Sequence, residues 1–166
     1  PGTFATSPLD AYEKGINLNL MGAVRLIHGL VPAMKEKKWG RIIAVTSISV
    51  KQPIGNLLLS NTARTGLTGF LKTIATELAP FGITVNAVLP GIHKTDRIDQ
   101  LAAHEAKQTS RTIEAVIREK EEANPSKMMG DPDDFGAMAA FLAGRQARYI
   151  TGQNILIDGG GYPGLF

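Results

Sequence analysis

Ser60 and Arg64 are spaced four residues apart, so they lie one turn apart on the same face of any helix that contains both. An arginine guanidinium stays charged at every working pH, so Arg64 can hold hydroxyls or a phosphate in its fork but cannot exchange a proton. The Ser60 hydroxyl is a much weaker acid than a phenol. The pair therefore favours binding over proton transfer, and Ser47 supplies a further hydroxyl earlier in the chain.

Other side chains with catalytic or metal-binding chemistry are few. The chain has no cysteine, which excludes a disulfide framework, a thiolate metal site and a catalytic thiol. Its histidines, His28, His93 and His104, show no metal-ligand spacing. A chain without cysteine suits a reducing compartment, so we expect a cytoplasmic protein.

The charge pattern argues against two classes of partner. The net charge is +3, but the 18 basic and 15 acidic residues are interspersed and only 6% of residues are aromatic. Because nucleic-acid binding needs a basic stripe or patch, we expect no nucleic-acid partner. No apolar run approaches the ~20 residues that span a bilayer, so we expect no membrane partner either.

Hydrophobic periodicity predicts a long helix near the start of the chain. Ser7 and Pro8 indicate its beginning, with Ser7 as the cap and Pro8 at the first helical position. Apolar residues then recur at spacings of three and four, as expected for one buried face. These residues are Ile16, Leu20, Val24, Ile27, Val31 and Met34.

The remaining elements alternate between strands and helices. The nearly continuous apolar run at residues 41–46 predicts a parallel strand covered on both sides, residues 83–89 predict a second buried strand, and residues 153–158 predict a last strand. Helices are predicted at residues 56–78 and 131–144, the last capped by Asp131. This order predicts an α/β fold with a parallel sheet of about three strands and right-handed crossovers. A sheet this narrow leaves an edge unpaired, so we expect either tight association or a longer parent chain.

Several short motifs follow one another in a fixed order. Asn19-Leu20-Met21-Gly22 lies in the first helix, Ser47 follows the first strand, Ser60 comes thirteen residues later, and residues 90–95 read Pro-Gly-Ile-His-Lys-Thr. Together they resemble the C-terminal part of a short-chain dehydrogenase/reductase, most closely the 3-oxoacyl-[acyl-carrier-protein] reductase type. The resemblance implies a doubly wound Rossmann-type domain of which residues 1–166 are the C-terminal portion.

The resemblance also implies which parts are absent and which are mobile. The glycine-rich turn that cradles the pyrophosphate belongs to N-terminal nucleotide-binding units that residues 1–166 do not contain, so we expect about three further strand-helix units in the intact protein. Residues 95–128 are charged and only weakly amphipathic, which suits a helical substrate loop or lid.

The resemblance assigns catalytic roles to four positions. Asn19 would organise a water molecule, and Ser47 would polarise a carbonyl oxygen. Ser60 and Arg64 stand where the family has tyrosine and lysine, a phenol and an ammonium that exchange the proton. Arg64 would instead fix the cofactor ribose, and the proton would come from water, Ser60 or the substrate.

Cofactor contacts are implied for the loop after the second strand. Pro90 and Gly91 would approach the cofactor, the main chain of His93 would contact the nicotinamide amide, and Thr95 would touch the pyrophosphate. The cofactor is expected to be NAD or NADP in the intact protein, and residues 1–166 alone are expected to bind neither. The His93 side chain has two interpretations, a titratable group beside the nicotinamide ring or a solvated loop histidine.

Two functions stay open. The resemblance implies an NAD(P)-dependent oxidoreductase that transfers hydride between the cofactor and a small carbonyl or alcohol, in a homodimer or homotetramer. The replaced tyrosine and lysine leave as the alternative a non-catalytic nucleotide- or ligand-binding relative, or a structural subunit. Asn86 is expected to bond neighbouring loops, and Tyr12, Tyr149 and Tyr162 match no catalytic position.

Overall fold

A parallel sheet forms the centre of the computed structural model, which describes residues 2–165. Within that range the strands are β1 (Gly40–Val45), β2 (Ile83–Pro90) and β3 (Asn154–Ile157), ordered β1-β2-β3. Ile42 pairs with Val85, and Val88 pairs with Ile155. The α/β class and the predicted strands are confirmed, with ends that differ by a residue.

The first helical segment is continuous but contains a widened turn. It comprises α1 (Leu9–Ile16), a π-helical turn at Asn17–Met21 and α2 (Gly22–Lys37). The predicted start is wrong by one residue: Pro8 has an extended backbone (ψ 158°) and precedes the helix. The Ser7 hydroxyl is buried without a hydrogen-bond partner in residues 2–165, so it does not cap the helix.

The helix α3 (Leu58–Leu78) packs on one face of the sheet, close to its predicted range. It ends in a short turn followed by Gly82, whose φ of 69° is the left-handed conformation that glycine adopts most easily. Along β2, Val85, Ala87 and Leu89 belong to the core cluster shared with α2 and α3. The buried face of α3 consists of Ala63, Leu67, Leu71, Ala75 and Leu78.

The opposite face of the sheet is covered by α6 (Pro132–Ala143), with Val88 of β2 packed against Leu142. Since both faces are covered, β2 is buried along nearly its whole length, which confirms the predicted buried strand. The Asp131 carboxylate accepts a hydrogen bond from the Asp133 amide at 2.8 Å, which confirms the predicted cap.

Residues 95–128 contain two helices, α4 (Asp96–Thr109) and α5 (Ile113–Ala123). They share a small apolar cluster of their own, formed by Ala102, Ala106 and Val116. The predicted helical content of this segment is confirmed, and its mobility stays a prediction. Across residues 2–165, we find no helix with the length and apolar character that crossing a membrane requires.

Candidate active site

A cleft of about 530 Å³ opens at the carboxyl ends of β1 and β2. Ligands of α/β proteins bind at this edge of the sheet, and the volume is typical of small-molecule sites. Of the predicted site residues, Ser47, Pro90 and Gly91 line the cleft together. The remaining lining residues are Ile48, Gln52, Pro53, Ile54, Ile92, Asn124, Asp158 and Gly161.

Ser47 follows β1 and begins a short helical turn at Ile48–Val50. Its hydroxyl oxygen accepts a hydrogen bond from the Ser49 amide at 3.1 Å, which fixes the side chain. Within residues 2–165 the hydroxyl hydrogen has no acceptor, so Ser47 can donate it to a ligand oxygen in the cleft. The polarising role that the resemblance implies for Ser47 stays a prediction.

Arg64 is bonded to the protein rather than to the cleft. Its Nη1 donates to the carbonyl oxygens of Val45, at 3.2 Å, and Thr46, at 3.0 Å, while its Nε donates to the Ser60 hydroxyl at 3.2 Å. Burial lowers the pKa of the guanidinium from its ordinary value. Arg64 therefore fastens α3 to the end of β1, and the predicted contact with a ribose would compete with these bonds.

Ser60 lies one turn before Arg64 on α3, as the spacing predicts, and accepts the hydrogen bond from its guanidinium. Neither residue lines the cleft around Ser47. A serine side chain is too short to reach where a tyrosine hydroxyl would end. The pair is therefore connected to the cleft only through the bonds of Arg64 to the main chain just before Ser47.

Asn19 lies inside the π-helical turn that joins α1 to α2. Its Nδ2 donates to the Gly15 carbonyl at 3.2 Å, and its Oδ1 makes no hydrogen bond within residues 2–165. Such widened turns occur frequently at functional sites, because they turn a side chain out of the normal helical register. Asn19 does not line the cleft, so its expected role in holding water stays a prediction.

The loop after β2 leaves main-chain donors available. Gly91 lies so close to Asp158 that a Cβ atom would come within 2.7 Å of that residue's Cα. The Gly91 amide is bonded to the Ile157 carbonyl at 2.9 Å, but the Ile92 and His93 amides make no hydrogen bond to another described residue. Thr95 precedes α4, is exposed and forms no side-chain cap.

The His93 side chain is buried, with 8% of its surface exposed, so the solvated alternative is wrong. The loop pairs with Gly130 through a parallel bridge at His93. There the imidazole meets the ring of Phe135 edge-on at 5.4 Å between centroids. The burial depends on a neighbour far away in sequence, which explains why the sequence did not reveal it.

No tyrosine lines the cleft among residues 2–165. Tyr149 is 99% exposed, and Tyr12 lies on α1. Tyr162 follows the cleft residue Gly161, and its ring lies 5.6 Å from the Nζ of Lys51.

Two residues of the site were missed from the sequence. The Asn124 amide donates to the Asp158 carbonyl at 2.8 Å, and both residues line the cleft. The Asn-Pro pair at 124 and 125 signals a turn, and nothing in the sequence connects it to the end of β3. Asn86 behaves as expected: it bonds the Ile150 carbonyl at 2.8 Å and the Gln153 amide at 3.1 Å.

Comparison with known proteins identifies the class to which this fold and site belong. The family model described as enoyl-(acyl carrier protein) reductase matches residues 1–161. The chain belongs to the short-chain dehydrogenase/reductase family. The finer resemblance to 3-oxoacyl-[acyl-carrier-protein] reductases stays a prediction.

Individual relatives share the family and cover nearly the whole chain. D-beta-hydroxybutyrate dehydrogenase of Rhizobium meliloti is 33% identical over 92% of this chain and 60% of the relative. The NADPH-dependent reductase BacG of Bacillus subtilis is 31% identical over 96% of this chain and 62% of the relative. The chain therefore spans about three fifths of these relatives.

Solved structures agree with the fold. The structure of L-sorbose reductase from Gluconobacter frateurii, complexed with NADPH and L-sorbose, superposes with a TM-score of 0.93 at 29% identity. The match covers 99% of this chain and 63% of that chain.

Proposed function

We propose that the intact protein is an NAD(P)-dependent oxidoreductase that transfers hydride between the cofactor and a small carbonyl or alcohol. The observation that carries this proposal is the Ser47 hydroxyl, held on the wall of the 530 Å³ cleft beside Pro90 and Gly91 with its hydrogen available. Relatives that are dehydrogenases and NADPH-dependent reductases support the reaction class.

The residues present fit one end of the cofactor. The His93 amide lacks a partner among the described residues and is positioned by the bridge to Gly130, so it can donate to a nicotinamide amide oxygen. Thr95, exposed at the start of α4, fits the predicted pyrophosphate contact. When bound, the cofactor supplies or accepts the hydride.

In the reducing direction, the chain's own residues handle the carbonyl oxygen. Ser47 donates a hydrogen bond to this oxygen, which stabilises the negative charge that develops there. The oxygen must also gain a proton, and Arg64 cannot supply it. Water or an acidic group of the substrate is the donor, since Ser60 does not line the cleft, and Asn19 holds the water. We expect slow proton transfer, because no phenol lines the cleft in residues 2–165.

The intact protein contains N-terminal nucleotide-binding units in this proposal, and residues 1–166 alone bind no dinucleotide. The share of its relatives that the chain spans supports this view. So does the outer edge of β1, which has no neighbouring strand within residues 2–165 and leaves Val45 56% exposed. Residues 95–128 serve as the lid over the cleft, since Asn124 follows α5 directly and lines it.

The protein assembles as a homodimer or homotetramer through α2 and α3. An apolar groove of about 430 Å³ between these helices supports this assembly. Val24, Val31, Phe70 and Ile74 are among the residues that line it. A cytoplasmic location stays a prediction based on the absence of cysteine.

The test is turnover by the intact protein with NADPH or NADH and a panel of ketones and aldehydes. Sustained cofactor oxidation above the no-enzyme rate is expected for at least one substrate. Fluorescence titration should show cofactor binding in the same preparation. Residues 1–166 alone serve as the negative control, for which neither binding nor turnover is expected.

A second function, cofactor or ligand binding without catalysis, is favoured by the bonds of Arg64 to Val45 and Thr46. These hydrogen bonds already use Nη1 of Arg64, the residue that stands where the family has lysine. Cofactor binding without turnover of any substrate in the panel would support this function and contradict the oxidoreductase. Absence of both would contradict both proposals.

A further inference from the structure

The wall of the cleft around Ser47 carries several apolar side chains. Ile48, Pro53, Ile54 and Ile92 all line it. Ile54 and Ile92 keep 39% and 40% of their surface exposed. Apolar surface of this kind favours a ligand that removes it from water. The cleft therefore suits a substrate that carries an apolar chain or ring.

Among residues 2–165, the lining of the cleft contains an anion but no cation. The anion is Asp158, whose carboxylate accepts hydrogen bonds from the Gly160 amide at 3.1 Å and the Tyr162 amide at 2.8 Å. A substrate carboxylate or phosphate would lose hydration in the cleft without a counter-charge from these residues, and it would meet a like charge. An uncharged substrate avoids both costs.

The cations close to the cleft residues in sequence make contacts of their own. Lys51 Nζ lies 5.6 Å from the ring of Tyr162, and Lys94 pairs with Glu121 at 3.7 Å. Arg64 donates to the main chain before the cleft. Because none of these three cations lines the cleft, none is placed to bind an anionic substrate there.

The main-chain donors of the loop after β2 do not select for charge. The Ile92 and His93 amides make no hydrogen bond to another described residue, and the proposed function assigns the His93 amide to the nicotinamide. The Ile92 amide can donate to the oxygen of a neutral carbonyl or amide as well as to a carboxylate. Selection between neutral and charged substrates therefore depends on the side chains.

Gln52 gives the cleft an uncharged polar side chain that makes no hydrogen bond within residues 2–165. Its main-chain amide is bonded to the Ile48 carbonyl at 3.1 Å, which fixes the backbone at this point. Asn124, in contrast, already donates to the Asp158 carbonyl and accepts from Ser126. A primary amide has donors and an acceptor but no charge, so Gln52 matches a neutral polar group.

We propose that the cleft takes an uncharged carbonyl or alcohol with an apolar chain or ring, and that Gln52 determines this selectivity by bonding a second, neutral polar group of the substrate. Substrates with a carboxylate or phosphate are disfavoured. The inference rests on the proposed function for the identity of the reacting group. It concerns binding, however, so its test needs no turnover.

The test compares 4-acetylbenzamide with 4-acetylbenzoate, two ketones of nearly equal size of which only the second is charged. Saturation-transfer NMR measures their affinities for the intact protein, with and without the oxidised cofactor, which cannot reduce a ketone. We expect the amide to bind at least about tenfold more tightly, because the carboxylate loses hydration without gaining a counter-charge.

Gln52→Lys adds the missing cation. It should reduce this preference by about three- to tenfold, because an ammonium forms a charge-assisted hydrogen bond with the carboxylate. Gln108→Lys is the matched control, since Gln108 is exposed on α4 and does not line the cleft. It should leave the preference within about twofold, because solvent and salt screen a distant surface charge.

Gln52→Leu separates the hydrogen bond from the charge. It should weaken the affinity for 4-acetylbenzamide by about three- to tenfold, the effect of one lost hydrogen bond. The affinity for acetophenone, which lacks the amide group, should stay within about twofold of the parent value. Melting curves should show that the variants fold, as expected for changes at exposed positions.

Tighter or equal binding of 4-acetylbenzoate would overturn the inference, as would binding of neither ketone. Equal changes in Gln52→Lys and Gln108→Lys would contradict the role of Gln52 and reduce the effect to general surface charge. Failure of the proposed function has a different result: the amide would still bind in preference to the carboxylate, but no ketone would be turned over.

Discussion

Arg64 Nη1 donates a hydrogen bond to the Thr46 carbonyl oxygen at 3.0 Å, joining the N-terminal part of α3 to the residue just before Ser47. The resemblance to the family predicts a catalytic lysine at this position, whereas here the cation of Arg64 is held by the main chain. The bond makes Arg64 a positioning residue for Ser47. Because Arg64 does not line the cleft, its charge is separated from the cleft by the main chain before Ser47.

We expect Arg64→Lys to destabilise the fold by about 1–3 kcal/mol, because an ammonium cannot reproduce the fork that reaches Ser60, Val45 and Thr46 at once. Urea unfolding measures the change. Arg25→Lys is the control, since the exposed Arg25 bonds only the Asn17 side chain within residues 2–165. It should change stability by less than about 0.5 kcal/mol. Equal effects would contradict the fastening role.

Ser47→Ala should lower turnover of the intact protein by about 10²–10³-fold, because it removes a donor aimed at the carbonyl oxygen. Ser49→Ala is the matched control. The Ser49 hydroxyl is buried without a partner in residues 2–165, so its removal should leave turnover and stability nearly unchanged. Steady-state kinetics with the best substrate measures both. A rate for Ser47→Ala equal to that of the parent would contradict the role of Ser47.

Restoring the family pair should raise turnover. Ser60→Tyr with Arg64→Lys supplies a phenol and an ammonium one turn apart, and general acid catalysis contributes about 10²–10⁴-fold. The control is Ser60→Phe with Arg64→Lys, which has the ring without the hydroxyl and should show no gain. Both variants lose the Arg64 bonds equally, so their comparison isolates the proton donor. Equal rates would argue that the cleft no longer holds a reductase geometry.

Asn86→Asp should destabilise the fold by at least about 2 kcal/mol. The change places a charge in a nearly fully buried position and removes the donor to the Ile150 carbonyl. Thermal melting of the variant measures this. Asn17→Asp is the control, because Asn17 is exposed, and it should shift stability by less than about 0.5 kcal/mol. Comparable shifts would contradict a structural role for Asn86.

Acid should loosen the contact between α4 and α5. The hydrogen bond from Lys120 Nζ, at 2.6 Å, is the main cause of a lowered pKa of Glu105; desolvation opposes it, and the charges of Lys120 and Arg111 add to the lowering. The folded pKa lies below the unfolded one, so the stabilisation is present above the ordinary glutamate value. It is lost as the pH falls through the lowered value.

Amide hydrogen exchange in α4 and α5, compared between neutral and acid pH, measures this loss. Lys120→Gln should remove most of the acid sensitivity, whereas Glu114→Gln, at an exposed position on α5, should leave it intact. An unchanged acid sensitivity in Lys120→Gln would show that another pair holds these helices.

The elements of the fold were largely predictable from the sequence, because hydrophobic periodicity is a local signal. Residues 83–89 predicted a buried strand, and β2 is one. The widened turn at Asn17–Met21 was not predictable, since the apolar spacing on either side of it fits an ordinary helix. The prediction that Ser7 caps the first helix was wrong, because the backbone of Pro8 is extended and the helix begins at Leu9.

By itself the sequence determined the α/β class and the family, because these are properties of residue order and spacing. The replacement of the family's tyrosine and lysine by Ser60 and Arg64 stays a prediction. Only the tertiary structure decided where Arg64 donates its hydrogen bonds and that His93 is buried. Those outcomes depend on contacts between segments far apart in the chain, such as 46 with 64 and 93 with 130. Their energies arise only when the sheet brings the segments together.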